Sequence, residues 1–138
     1  MDIDWLIGQL KTFSEFYGHK KSLYGDEEYC REGLRRTITG HFFLIAERGK
    51  DRLGFIAGLV APHLYNPSIR NLTELFWWVA EEHRGSSAGL VLLDEFVKWG
   101  KENCDWICFS ITKDTRIDPE HLLKRGFKPY ESSFLMEV

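Results

Sequence analysis

Leu75-Phe-Trp-Trp-Val-Ala-Glu-Glu-His-Arg-Gly-Ser-Ser-Ala-Gly-Leu-Val-Leu-Leu93 is the stretch on which the reading of this chain turns. Its opening is dense in aromatic and β-forming residues and reads as a buried strand over 72–80 that ends at Val79 or Ala80. Arg84, Gly85 and Gly89 then mark a short turn. From Ser86 or Ser87 the period becomes helical, with Leu90, Leu93, Phe96, Val97 and Gly100 on one face. A strand that turns directly into an amphipathic helix builds an anion site. The first-turn amides have no partner inside the helix, and the macrodipole favours negative charge beside them. Small residues let a diphosphate approach the backbone, and Ser86 and Ser87 add hydroxyl donors. The dipole contributes about 0.3–1 kcal/mol, so hydrogen bonds carry most of the expected affinity. A Gly-x-x-x-Gly pair alone is weak evidence, since about one chain in two of this length holds one by chance. The strand before it, the helix after it and Arg84 at the turn give it weight. No Gly-Lys-Ser/Thr follows and the three-glycine spacing is absent, so neither a nucleotide P-loop nor a dinucleotide fingerprint is present.

Upstream, Ile3, Leu6, Ile7, Leu10, Phe13 and Tyr17 keep the spacing of one helical face, with Asp2 and Asp4 at its start and Gly18 at its stop. A second helix is expected over 26–37, with Tyr29, Cys30, Gly33 and Leu34 facing inward. Two β-rich runs, 41–48 and 53–61, are joined by Gly49-Lys50-Asp51-Arg52, a hairpin signal. Residues 62–71 read as a loop. Downstream, 106–112 is a strand expected to be buried on both faces. Asp118 and Pro119 open a short helix, as cap and first helical residue, that ends at Gly126. Two closing strands are expected over 127–130 and 133–138. A hairpin leading into a strand–helix–strand unit predicts an α/β (α+β) domain, a mixed sheet with helices packed on it.

The 138 residues fit one domain, spanning 1–138. Twenty aromatic side chains (5 Trp, 5 Tyr, 10 Phe) can build a core, which excludes a disordered chain. Eighteen Lys and Arg against 21 Asp and Glu give a net charge of −3, so no nucleic-acid partner is expected. The apolar runs are too short to span a bilayer, and the start lacks the basic region and long apolar run of an export signal. No membrane association and a cytoplasmic location are therefore expected. Cys30, Cys104 and Cys108 are odd in number and read as reduced thiols. Cys104 and Cys108 have no second ligand pair nearby, so no metal is expected.

The run Arg84-Gly85-Ser86-Ser87-Ala88-Gly89 resembles the acetyl-CoA-binding motif of the GCN5-related N-acetyltransferase (GNAT) superfamily, Arg/Gln-x-x-Gly-x-Gly/Ala, with Ser87 where the first signature glycine usually stands. Leu122-Leu-Lys-Arg-Gly126-Phe127 resembles the Gly-Phe ending of the family's fourth helix. The order of elements from His41 onward, about the last hundred residues, follows the family too, whereas its usual first strand is missing or very short. The resemblance implies a mixed, mostly antiparallel central sheet with helices on both faces, splayed between the family's fourth and fifth strands, here 72–80 and 106–112. It implies acetyl-CoA as co-substrate, with its pantetheine arm in the splay and the amides of Val79 and Trp77 facing it. Arg84, Gly85, Ser86, Ser87, Ala88 and Gly89 would hold the diphosphate, and Ser110 and Thr112 would bond the pantetheine. Trp77 and Trp78 also read simply as core, and His83 as a solvated turn residue. The acceptor would be a small-molecule or protein amine, met at segments 24–32 and 62–69. The closing strands leave room for a homodimer.

Acyl transfer needs a neutral amine, yet a lysine-like amine has a pKa of about 10.4 and is protonated at neutral pH. A carboxylate must take that proton, and backbone N–H groups can stabilise the tetrahedral oxyanion that follows. Glu74 is the candidate base, about where the family often carries one. Strand alternation groups it with Phe76 and Trp78, unless a bulge intervenes, and apolar neighbours raise its pKa. Pairing with Arg70 is the competing reading. The family's acid, a tyrosine four residues before the glycine of Gly-Phe, is replaced by Leu122. Tyr130 is the remaining tyrosine candidate, with packing as its other reading. His121 adjoins the lost position, and a solvent proton also suffices for a thiolate. Two rivals stand beside an acetyltransferase. One is a non-catalytic module of the same fold that binds CoA or another protein. The other is an unrelated α/β domain whose Arg-Gly turn merely enters a helix.

Overall fold

The computed structural model describes residues 2–113 and 117–138. The chain begins with α1 (Ile3–Tyr17) and α2 (Glu27–Gly40). Then come β1 (Phe42–Arg48), β2 (Asp51–Pro62), β3 (Arg70–Val79), a 3-10 turn at Glu81–His83, α3 (Ala88–Asn103), β4 (Trp106–Cys108) and α4 (Glu120–Leu123). Both front helices start on acidic caps. Asp2 accepts the Trp5 N–H at 3.2 Å and Asp26 accepts the Tyr29 N–H at 2.7 Å. Gly18, at φ 58°, closes α1 in the left-handed region. In α2, Cys30 and Leu34 face inward as expected, but Tyr29 is 73% exposed.

The strands form one sheet in the order β1-β2-β3-β4, antiparallel except for the last pair. Helices cover both faces. On one, Leu6, Ile7 and Leu34 pack with Phe55 and Trp78; on the other, Leu92 and Phe96 of α3 pack with Ile56 and Leu72. Phe55 and Phe96 are fully buried, and each such side chain contributes about 1.5–3 kcal/mol of transfer free energy. The mixed, mostly antiparallel architecture is the one expected.

Three corrections concern β structure. The expected strand over 106–112 pairs with β3 only through Asn71↔Trp106, Leu72↔Ile107 and Thr73↔Cys108. The cause lies in β3: Gly58 pairs with Glu74 and Ala57 with Phe76, so Leu75 is an extra, bulged residue. A bulge bends its strand, and past Thr73 the two chains part. Residues 109–112 still alternate, for Phe109 and Ile111 pack towards Leu93, Val97 and Leu122. Second, Trp106 is 37% exposed rather than buried. Third, 127–130 and 133–138 form no strand, because β propensity is realised only against a neighbouring edge. This tail runs from Phe127, against Phe109, past Tyr130, against Trp106, to Glu137. The Glu137 carboxylate there meets His19 Nδ1 at 2.9 Å and accepts the Lys20 N–H at 2.7 Å. The short helix begins one residue later than expected, with Asp118 accepting the Glu120 N–H at 2.9 Å.

Candidate active site

The end of β3 and the start of α3 are locked together. Trp77 Nε1 donates to the Gly89 carbonyl at 2.9 Å, and a Cβ built on Gly89 would lie 3.4 Å from Val79 Cγ2. The Ala80 N–H bonds Leu53 O on β2 at 2.8 Å. Amides alternate sides along a strand, so those of Val79 and Trp77 point away from β2, to the side where β3 and 109–112 part.

Between strand and helix, Gly85 adopts φ 88°, a conformation open to glycine. Ser86 N–H bonds His83 O, Ala88 N–H bonds Ser86 Oγ, and Val91 N–H makes the first helical bond, to Ser87 O. Among the described residues, the amides of Gly85, Ser87, Gly89 and Leu90 have no acceptor within the chain. They form a run of donors at the positive end of a helix of 16 residues. Leu90 is the donor that sequence reading overlooked, because nothing in its side chain advertises its amide. A cavity of about 410 Å³ opens beside this turn, between Ala46, Glu47 and Arg48 of β1 and Ser86, Ser87 and Val91. Arg84 is placed otherwise than its position in the motif suggests. Its Nε donates to Val79 O at 3.2 Å, and its guanidinium lies 4.4 Å above the Trp78 ring and 5.4 Å from that of Phe16. The side chain braces the turn against the α1 face.

Glu74 stands where the sheet divides. It pairs with Gly58, where a Cβ would strike Leu72 and Phe96, so the bulge puts it on the Leu72 and Trp77 side. The expected grouping with Phe76 and Trp78 is overturned. Across the gap, the backbone amide of Ser110 favours the ionised form of the Glu74 carboxyl. Burial pushes its pKa up from 4.5 to about 7, with the Ser110 amide pulling the other way. Arg70, the alternative partner, is engaged through its backbone with Asp105.

The remaining candidates scatter. Thr112 donates to Tyr17 Oη at 3.4 Å. Tyr130 is 78% exposed with its ring 6.2 Å from Trp106, which pairs with Asn71, three residues of strand before Glu74. Leu122 is 8% exposed, packed with Leu93 and Val97. Cys30, Cys104 and Cys108 are free thiols. Among the described residues no cluster of three metal-ligating side chains occurs, and no helix is long and apolar enough to cross a membrane.

With this geometry in place, comparison with known proteins is informative. Residues 7–127 match the model of the acetyltransferase (GNAT) family. No curated protein sequence matches significantly. Among solved structures, a ribosomal-protein-alanine N-acetyltransferase from Brucella melitensis biovar Abortus superposes with a TM-score of 0.78 at 16% identity, over 99% of this chain and 91% of its own. An aminoglycoside acetyltransferase from an uncultured soil metagenomic sample, in complex with trehalose, gives 0.71 at 12% identity, over 99% and 89%. A predicted acetyltransferase from Clostridium acetobutylicum, crystallised with acetyl-CoA, gives 0.69 at 16%, over 99% and 92%. At these identities the likeness is one of fold.

Proposed function

Because the chain belongs to the GNAT acetyltransferase family, we propose that it moves an acetyl group from acetyl-CoA to a primary amine by direct attack on the thioester. The observation that carries this reading is the placement of one buried carboxylate, Glu74, in the parting of the sheet that also receives the Val79 and Trp77 amides. The free amides at 85, 87, 89 and 90 suit the diphosphate of the co-substrate.

In the proposed reaction the ammonium of the acceptor gives a proton to Glu74. With a pKa of about 7, that carboxyl is divided between both forms at neutral pH, so it can accept a proton and release it again. The freed nitrogen lone pair bonds to the thioester carbon, and the carbonyl electrons move to oxygen. The Val79 N–H, on the open side of β3, is the donor assigned to that oxyanion. Collapse re-forms the carbonyl and breaks the carbon–sulfur bond. The second amine proton leaves to solvent, and the thiolate takes one from solvent. Tyr130 is not needed for this scheme, as it sits on Trp106.

A second reading is a non-catalytic CoA-binding or interaction module, and it is favoured by one feature. The family's tyrosine position is held by an apolar, buried Leu122. An acceptor screen, from small amines and polyamines to peptide N-termini, read by release of free thiol from acetyl-CoA, tests the first reading. A thermal-shift titration with CoA runs beside it, since a ligand that binds only the native state raises the melting point. Thiol release with a shift supports transfer; a shift without release supports the module. No shift removes transfer and CoA binding alike and leaves only the interaction module.

A further inference from the structure

The closing segment is built of strand-forming residues that no edge receives. Among the described residues, the main-chain amides and carbonyls of 128–138 have no hydrogen-bond partner within the chain. Polar anchoring comes from the Glu137 side chain, on His19 and the Lys20 N–H. Between Tyr130 and that anchor, Phe134, Leu135 and Met136 are each 74% exposed or more. The apolar surface continues beyond the tail. Tyr130 rests on Trp106 at 6.2 Å, Trp106 on His63 at 5.1 Å, and His63 on Tyr65, in the loop after β2, at 5.9 Å. Covering Tyr65, Tyr130, Phe134, Leu135 and Met136 would remove roughly 600–1,000 Å² of surface per copy. That range brackets the roughly 800 Å² that each partner gives to a stable interface, and an exposed apolar patch of this size marks an interaction site.

Charge and symmetry select the partner. Ser132-Ser133-Phe134-Leu135-Met136 carries no charge and is flanked by Glu131 and Glu137. Acidic flanks repel anionic lipid headgroups. The run is complementary to itself instead, because two copies laid antiparallel about a twofold axis supply each other's missing ladder bonds. Centred on Leu135, such a pairing sets Phe134 opposite Met136 and Ser133 opposite Glu137. Centred on Phe134, it would set Glu131 against Glu137, and like charges directly opposite are destabilising. We propose that Tyr65, Tyr130 and the 132–136 run form the interface of a twofold homodimer, in which 132–136 pairs antiparallel with the same run of a second copy and Leu135 lies on the axis. The β propensity that finds no edge in one chain finds it in the partner. This interface does not depend on the acetyl-transfer reading.

The test is the mass of the full chain by light scattering across the micromolar range. The wild type is expected at twice the 16.2 kDa of one chain. Phe134→Lys puts a charge inside the interface at a side chain that is exposed in the single chain. Its circular dichroism is expected to match the wild type while its mass falls to that of one chain. Val91→Lys changes an exposed apolar position on α3 beside β1, the opposite edge of the sheet from β4, and is expected to keep the double mass. Opposed residues of an antiparallel pair have Cα atoms about 4.5–5.5 Å apart, within disulfide reach. Leu135→Cys is therefore expected to link the copies on oxidation, with the wild type and its three native thiols as control. A wild type that keeps the mass of one chain overturns the proposal, and co-sedimentation of that monomer with phosphatidylserine vesicles would give the surface to a membrane instead. A dimer left whole by Phe134→Lys, or left unlinked in Leu135→Cys, overturns it as well.

Discussion

The Trp77 indole N–H is anchored on the carbonyl of Gly89, 2.9 Å away, and this one bond joins the end of β3 to the first turn of α3. It fixes the donor run of the turn relative to the strand whose Val79 amide faces the gap. The proposed diphosphate and thioester sites are thereby spaced by rigid elements rather than by a loop.

Gly89→Glu tests the donor run. Its Cβ meets only ordinary contact with Val79, so the melting temperature is expected to stay near that of the wild type. The new carboxylate stands among amides that suit an anion, and CoA is expected to produce no thermal shift in this variant.

Glu74→Gln tests the base. General-base removal typically costs about 10²–10⁴ in rate, so kcat is expected to fall far more than the KM for acetyl-CoA rises, with loss of the rate limb near pH 7. The same variant has a stability signature. The folded pKa lies above the unfolded one, so the fold favours the protonated form; that contribution is complete below about 4.5 and is lost as pH rises through about 7. The neutral glutamine escapes the loss. Denaturant titrations are expected to find it more stable than wild type by on the order of 2 kcal/mol at about pH 8, and not below about pH 4.

Arg84→Ala separates bracing from binding. The guanidinium stacks on Trp78 and Phe16 at an exposed site, a contact worth about 0.5–1 kcal/mol. A stability loss of that size is expected by chemical denaturation. The CoA-induced thermal shift is expected to be affected much less than by Gly89→Glu.

Leu122→Tyr asks whether an acid can be put back. The site is packed against Leu93 and Val97, and overpacking of this kind costs about 1–3 kcal/mol. Lower stability with no gain in thiol release is expected from the variant.

The helices, the hairpin and the strand–turn–helix that holds the proposed anion site were legible because each is written in local signals: Asp2 and Asp26 as caps, Gly18 and Gly49 as stops, and a change of period after Gly85. What stayed hidden depends on tertiary partners. The bulge at Leu75 carries no Gly, Pro or Asn to announce it, and it reverses the neighbours of Glu74. The 106–112 run has strand-forming residues throughout, yet ladder bonds stop at Cys108 because β3 bends away. Arg84 reads as a phosphate ligand until Trp78 and Phe16 are seen to hold it. Tyr17 reads as one more apolar position of α1, since period alone cannot distinguish a core ring from a hydroxyl that reaches Thr112.

Leu75 makes the parity of β3 a chemical variable. Excising that single residue would restore an unbroken pleat, leave Glu74 opposite Gly58, straighten the strand and invite 109–112 to zip onto its neighbour, shutting the gap. The resulting chain could be every bit as well folded and still be mute, a sign that this strand tolerates exchange of residues far better than a change in their number.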